Sequence, residues 1–244
     1  MVKVREHHPQ EEAEQIDIQT WVESLIQGYT FESSDGESSA AEQIAHACHF
    51  ASDALKQDFD PDKLWSNADG CFQTALEMAE ILADLSLDTA GLQAAILYRA
   101  VREGRISNDK VRSEFGAEVA GLIDKVLRMA VVSTLNNSHG RSVFGHGGGQ
   151  QASKIREMLV SIIDDIRVPL IKIAERTCAI RSVKEDEQRR RQVGREVFDV
   201  YAPLAHRLGI GHLKWELEDL SFRYIHPESY RKIAGLLDGK RLER

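Results

Sequence analysis

The chain has 244 residues, of which 42% are hydrophobic and 29% are charged, a composition typical of globular proteins with a buried core. Its net charge of −8 argues against a generic polyanion-binding surface but allows a local basic groove. Without a signal-peptide pattern or a long apolar run, we expect a cytoplasmic protein that does not enter a membrane. The three cysteines lack metal-binding spacing and are predicted to be reduced thiols.

Apolar residues recur at helical spacing along the first half of the chain. A short amphipathic helix around Trp21 precedes a polar segment, 32–39, which is predicted to be a flexible linker. Asp88 and Thr89 form a good N-cap for a helix, and Ser107 caps another that Gly116 breaks. The helices predicted in this half cover residues 40–55, 72–85, 90–101, 107–115 and 119–130.

The second half opens with a segment, 134–150, whose glycine run predicts a loop. A long helix over 188–208 follows farther on, and Pro203 should kink or divide it. Further helices are predicted over 154–166, 168–180, 213–224 and 227–237. Since no segment alternates as a β-strand does, the sequence predicts an all-α bundle of about ten helices.

The strongest motif is Tyr201-Ala-Pro-Leu-Ala-His-Arg-Leu-Gly-Ile210, followed by Lys214-Trp-Glu-Leu-Glu-Asp219. It resembles the signature of the RelA/SpoT homologue family, which makes and destroys the alarmone (p)ppGpp. The resemblance covers roughly residues 40–244 and implies an HD-superfamily-like helical hydrolase domain. In that superfamily a His, a His-Asp pair and a later Asp hold one divalent ion. The ion lowers the pKa of a bound water, which then attacks phosphorus.

The residues at these family positions differ from what the resemblance implies for an active hydrolase. The first ligand His falls at Thr74, the His-Asp pair at Tyr98 and Arg99, and the last Asp at Glu175. Three further positions implicated in hydrolysis or facing the nucleotide carry Arg102, Glu103 and Ala179. One remaining carboxylate cannot hold a divalent ion against water and nearby positive charge. We therefore expect no catalytic residues and no metal, and the Mn²⁺ of active members is predicted to be lost.

This pattern resembles the RelA branch, in which the hydrolase domain is degenerate. The resemblance implies a regulatory pseudo-hydrolase domain whose full protein is a ribosome-associated GTP pyrophosphokinase of the stringent response. That protein would transfer pyrophosphate from ATP to GTP or GDP. The expected partners are its own synthetase domain, the ribosome through domains outside this chain, and a guanine nucleotide effector. Two alternatives stay open: a divergent metal-dependent (p)ppGpp 3′-pyrophosphohydrolase, and a metal-free guanine-nucleotide-binding module.

Three segments are expected within the chain: an arm and linker over 1–39, the degenerate HD-type domain over 40–200, and a helical connector over 201–244. The run Arg189-Arg190-Arg191 lies among acidic residues and is interpreted as a solvated face, with docking or RNA contact as the alternative. Five other cations are candidates for a cleft that binds a nucleotide without metal. They are Arg99, Arg102, Lys172, Arg176 and Arg181.

Overall fold

A computed structural model describes residues 17–27, 34–56, 68–137, 165–183 and 187–242. Within these ranges every regular element is a helix, which confirms the all-α prediction. None of the described helices is long and apolar enough to cross a membrane. The elements are α1 (Ile18–Gln27), α2 (Ser34–Lys56), α3 (Ala68–Asp84), α4 (Thr89–Arg102), α5 (Asn108–Asn137), α6 (Arg167–Ser182), α7 (Glu187–Glu196), a π-helical turn (Val197–Tyr201), α8 (Ala202–Arg207), α9 (Gly211–Ile225) and α10 (Pro227–Leu242).

The described residues fall into two compact units. The first contains α1 to α5 and residues 165–175, and the second contains residues 176–183 and 187–242. In the first unit, α4 packs against α2, α3 and α5. Residues 91–98 of α4 are all buried, so this helix forms the centre of the unit.

Helix α4 begins where the sequence predicts. The Asp88 carboxylate accepts a hydrogen bond from the Gly91 backbone N–H at 2.9 Å, which satisfies one of the unpaired donors of the first turn. The Leu87 side chain packs closely against Gly91, where a Cβ atom would lie only 2.6 Å from it, so a larger residue would force a shift. The N-cap at Asp88 therefore determines the residue at which α4 begins.

The predicted break at Gly116 is confirmed inside α5. The Lys110 N–H donates to Ser107 Oγ at 3.2 Å, as expected of a helix cap. Gly116 then has φ 88° and ψ 172°, a conformation that glycine alone adopts readily. The helix changes direction at this residue.

The start of α6 is held by Arg167, whose guanidinium binds Asp165, Asp88 and Glu118 at 2.6 to 2.7 Å. Hydrogen bonding to Arg167 lowers the pKa of the Asp165 carboxyl, and the same bond contributes most to raising the pKa of Arg167. These contacts connect α6 to the N-cap of α4 and to α5. They set the position of the α6 residues that face α4.

In the second unit, Pro203 divides the predicted long helix. The Ala202 N–H reaches back five residues to the Val197 carbonyl, which gives a π-helical turn between α7 and α8. Proline lacks an N–H group, and its ring crowds the carbonyl four residues earlier, so a widened turn removes that clash. Gly209, with φ 75°, ends α8 as predicted.

Two boundaries differ from the sequence-based predictions. Helix α2 begins at Ser34, so residues 34–39 are helical and their prediction as linker is wrong. The acidic residues at 35 and 37 interact favourably with the positive end of the helix dipole, which explains why the helix begins earlier than predicted. Helix α5 continues to Asn137, and the rest of the predicted glycine-rich loop lies outside the described residues. The helix predicted over 154–166 also lies almost wholly outside them.

Candidate functional site

All the substituted family positions except Ala179 lie in the first unit, where Tyr98 and Arg102 contact Glu175. Thr74 lies on α3, and Tyr98, Arg99 and Arg102 lie on the last turns of α4, with Glu103 as its C-cap. Glu175 lies on α6 beside Lys172. Tyr98 and Lys172 are fully buried, and Glu175 is 2% exposed. The site is therefore a packed junction of helices with an ionic centre.

Both carboxylate oxygens of Glu175 accept hydrogen bonds from other side chains. Lys172 Nζ donates to Oε2 and Arg102 NH1 donates to Oε1, each over a short ionic contact. The Tyr98 hydroxyl lies 3.4 Å from Oε2 and also accepts from Lys172 Nζ at 3.4 Å. The phenol thus bridges the ammonium and the carboxylate.

Lys172 and Arg102 together compensate the negative charge of the buried Glu175. Lys172 supplies an ammonium with no exposed surface, whereas the Arg102 side chain is 38% exposed and covers the carboxylate from the solvent side. A buried carboxylate is stable only when it is paired and hydrogen-bonded, and here two cations and a phenol meet that need. Positive side chains contact Glu175 on both oxygens.

Arg99 takes a different direction from Arg102. Its NH2 group donates to Cys71 Sγ at 3.6 Å and lies 3.7 Å from Glu103 Oε1. Burial lowers the pKa of Arg99, but Cys71, Glu175 and Glu103 outweigh burial and raise it overall. The sequence predicts positive charge near the ion position without showing which arginine supplies it. The structure shows that Arg102 makes the ion pair with Glu175.

The residues at the four ligand positions do not fit a divalent cation. Thr74 Oγ1 donates to the Gly70 carbonyl of its own helix at 2.7 Å. Tyr98 and Arg99 offer a phenol and a guanidinium, and the Glu175 oxygens already bind Lys172 and Arg102. Among the residues whose side chains the structure describes, no three His, Cys, Asp or Glu groups converge as metal ligands. Divalent ions need several oxygen, nitrogen or thiolate ligands.

The five cations proposed for a nucleotide do not all occur in one unit. Arg99, Arg102 and Lys172 belong to the first unit, as described above. In the second unit, Arg176 pairs with Glu196 at 3.3 Å, and Arg181 makes two bonds to Glu216 at 2.6 and 2.9 Å. Ala179 lies half-buried on the same helical segment. Their joint role in nucleotide binding stays a prediction.

Sequence reasoning missed the pairing of Arg102 with Glu175. Seventy-three positions separate the two residues, so only the packing of α4 on α6 reveals the contact. The spacing of Lys172 and Glu175 on one helix, at i and i+3, was a usable signal, because such residues are neighbours on a helix face. The predicted thiols are confirmed as unbridged: all three cysteines are buried and none forms a disulfide.

Comparisons with known proteins agree on the family. The model of the HD domain family matches residues 47–211. The chain is 37% identical over its whole length to a GTP pyrophosphokinase of Photobacterium angustum (strain S14), and it covers 30% of that protein. It is 44% identical over 69% of its length to the GTP pyrophosphokinase of Escherichia coli (strain K12), covering 22%.

A third relative, from Synechocystis, is named a probable guanosine-3′,5′-bis(diphosphate) 3′-pyrophosphohydrolase. It is 32% identical over 94% of the chain, which covers 29% of that protein. This chain belongs to the RelA/SpoT family. It carries the family's HD domain and spans less than a third of the length of these relatives. Because RelA/SpoT relatives are named for opposite activities, the family alone does not assign one to this chain.

Proposed function

We propose that this HD domain is a catalytically inactive pseudo-hydrolase that regulates a (p)ppGpp synthetase. The observation that carries the proposal is the occupation of both Glu175 oxygens by Lys172 and Arg102. In an active HD hydrolase the corresponding carboxylate must be available to a metal ion. Here two side-chain cations bind it instead.

The electrostatics of the junction support this proposal. A divalent ion approaching Glu175 would have to displace a buried ammonium and a guanidinium, and it would be repelled by both. At the other three ligand positions the side chains offer a hydroxyl, a phenol and a guanidinium, whereas the ion needs imidazole and carboxylate ligands. Without the ion there is no group at this position to lower the pKa of an attacking water.

The activity proposed for the whole protein comes from its relatives. Both the Photobacterium and the Escherichia proteins are named GTP pyrophosphokinase, and each is more than three times as long as this chain. We infer that the full protein transfers pyrophosphate from ATP to GTP or GDP through a synthetase domain outside this chain. The HD domain would restrain or relay that activity by packing on the synthetase domain, in a cytoplasmic protein that works with the ribosome.

The alternative function is hydrolysis of (p)ppGpp, which the name of the Synechocystis relative favours. A purified chain incubated with ppGpp and Mn²⁺ separates the two functions. We expect no release of pyrophosphate above a blank, while a relative with all four metal ligands, used as the control, should hydrolyse ppGpp. Turnover by this chain that disappears on chelation and returns with Mn²⁺ would establish the hydrolase and refute the pseudo-hydrolase.

A metal-free nucleotide site at the junction is the remaining candidate. The buried Nε of Arg99 has no hydrogen-bond acceptor among the described residues, so one donor of this guanidinium is unsatisfied. Calorimetric titration with ppGpp, without metal, tests this candidate on the wild-type chain and on Arg99→Gln. Binding that is lost in Arg99→Gln would support a nucleotide sensor, and equal binding by both would exclude Arg99 from it.

A further inference from the structure

A pocket in the second unit contains none of the substituted metal-ligand positions. It lies between the start of α7, the end of α9 and the start of α10, with a cavity volume of about 280 Å³. A volume near the lower end of the usual range for small-molecule sites suits a small ligand. Its lining residues are Glu187, Arg190, Arg223, Tyr224, Pro227 and Arg231.

The charge of this pocket is strongly positive for a chain of net charge −8. Three of its lining residues are arginines, and one, Glu187, is acidic. Glu187 is engaged by Arg191 at 2.6 Å, a residue outside the lining. Within the described part of the chain, no carboxylate lies within 4.0 Å of Arg190, Arg223 or Arg231. The three arginines therefore line the pocket without the carboxylate partners that Arg176 and Arg181 have, and the Arg231 Nε donates to the Pro227 carbonyl at 3.3 Å.

Two further observations point to an anionic ligand. Arg190 is held near the Tyr224 ring, 6.0 Å from its centre, and its buried Nε has no acceptor among the described atoms. A buried donor without an acceptor is costly, and a bound anion would satisfy it. Pro227, the first residue of α10, lines the pocket, so the positive end of that helix dipole adds to the attraction.

We propose that this pocket binds a multiply charged phosphate anion. Guanidinium groups recognise phosphate oxygens through paired, charge-assisted hydrogen bonds, and three of them match a diphosphate better than a single carboxylate. The ligand is either a free polyphosphate or the phosphate end of a nucleotide. Both sources present the same chemistry to the arginines.

The test is calorimetric titration of the 244-residue chain with inorganic pyrophosphate, at constant ionic strength. Arg223→Gln and Arg231→Gln should each weaken pyrophosphate binding about tenfold or more, because each removes a charge-assisted contact. Both arginines are exposed, so the folds of these variants should survive, as checked by thermal unfolding. The matched control is Arg207→Gln, an exposed arginine of α8 in the same unit but outside the pocket, which should bind as the wild type does.

A second arm uses ADP to identify the source of the phosphate. Equal affinity for ADP and pyrophosphate would indicate that only the phosphates are recognised, and tighter binding of ADP would indicate that the nucleoside contributes. Either result is consistent with the proposed site. Absence of pyrophosphate binding, or an equal loss in Arg207→Gln, would overturn it.

Discussion

At the scale of single residues, Glu175 is the buried carboxylate at the centre of the junction in the first unit. It receives Lys172, Arg102 and the Tyr98 hydroxyl while being 2% exposed. Two side-chain cations and a phenol compensate this buried carboxylate, so the junction can remain packed.

Removing the charge of Glu175 should be strongly destabilising. Glu175→Gln leaves the buried Lys172 ammonium without this partner, and breaking a buried ion pair costs about 3–5 kcal/mol of unfolding free energy. The control is Glu218→Gln, which breaks a partly exposed pair with Lys214 at 3.1 Å and should cost about 0.5 kcal/mol or less. Urea unfolding measures both. Similar, small losses in the two variants would show that the Glu175 network contributes little to stability.

The buried thiol of Cys48 should make the unfolding free energy depend on pH. Burial raises the pKa of this thiol to about 12, so the folded chain keeps the proton at a pH where the unfolded chain releases it. The unfolding free energy should therefore fall as pH rises above about 9, by about 2 kcal/mol up to pH 10.5 from this group alone. Cys48→Ala should lack that part of the decline. Parallel pH profiles of wild type and variant, from urea unfolding, would disprove the contribution.

At the scale of helices, α5 depends on the backbone of Gly116. Its φ is 88°, and apart from its own helical turn no atom lies within 4 Å of the position that a Cβ would take, so the cost of a side chain there is mainly conformational. Gly116→Ala should lower the unfolding free energy by about 1–3 kcal/mol. Gly121→Ala is the matched control on the same helix, where alanine should stabilise by up to about 1 kcal/mol. If both variants change stability in the same direction, the break at Gly116 is not a constraint on the fold.

Helices were predictable where local chemistry determines them. Asp88, Ser107 and Gly116 act within a few residues of their own positions, so their effects on α4 and α5 could be read from the sequence. Pro203 indicated a division of the long helix, but not that a π-helical turn would provide it. The start of α2 was misjudged because serine, glycine and acidic residues are typical of linkers and of first helical turns alike.

The candidate site was predictable in its composition but not in its pairings. The family resemblance predicts that Thr74, Tyr98, Arg99 and Glu175 occupy the ligand positions. Which arginine of α4 reaches Glu175 depends on the rotation of α4 against α6, which no local pattern encodes. The resemblance places Arg102 at a position implicated in hydrolysis. The structure shows that its guanidinium binds the Glu175 carboxylate.

At the scale of the whole molecule, the chain carries the HD domain of its family, and we propose that internal ion pairs take the place of the metal ion. A domain of this kind can act on the rest of the protein only through surfaces and ligands, such as the arginine pocket proposed above. The chain covers 30% and 22% of two relatives, and the partner proposed for this regulation is a synthetase domain outside this chain. The predicted boundaries at residues 39 and 200 stay predictions.

The central claim is that this chain binds no catalytic metal because its ligands were replaced and Glu175 is bound by cations. The most direct test is calorimetric Mn²⁺ titration of the wild type beside a five-position variant combining Thr74→His, Tyr98→His, Arg99→Asp, Arg102→Glu and Glu175→Asp. We expect no binding by the wild type and measurable binding by the folded variant, with less when Arg102 is kept. One Mn²⁺ bound tightly per wild-type chain, or a folded five-position variant that binds none, would contradict the account.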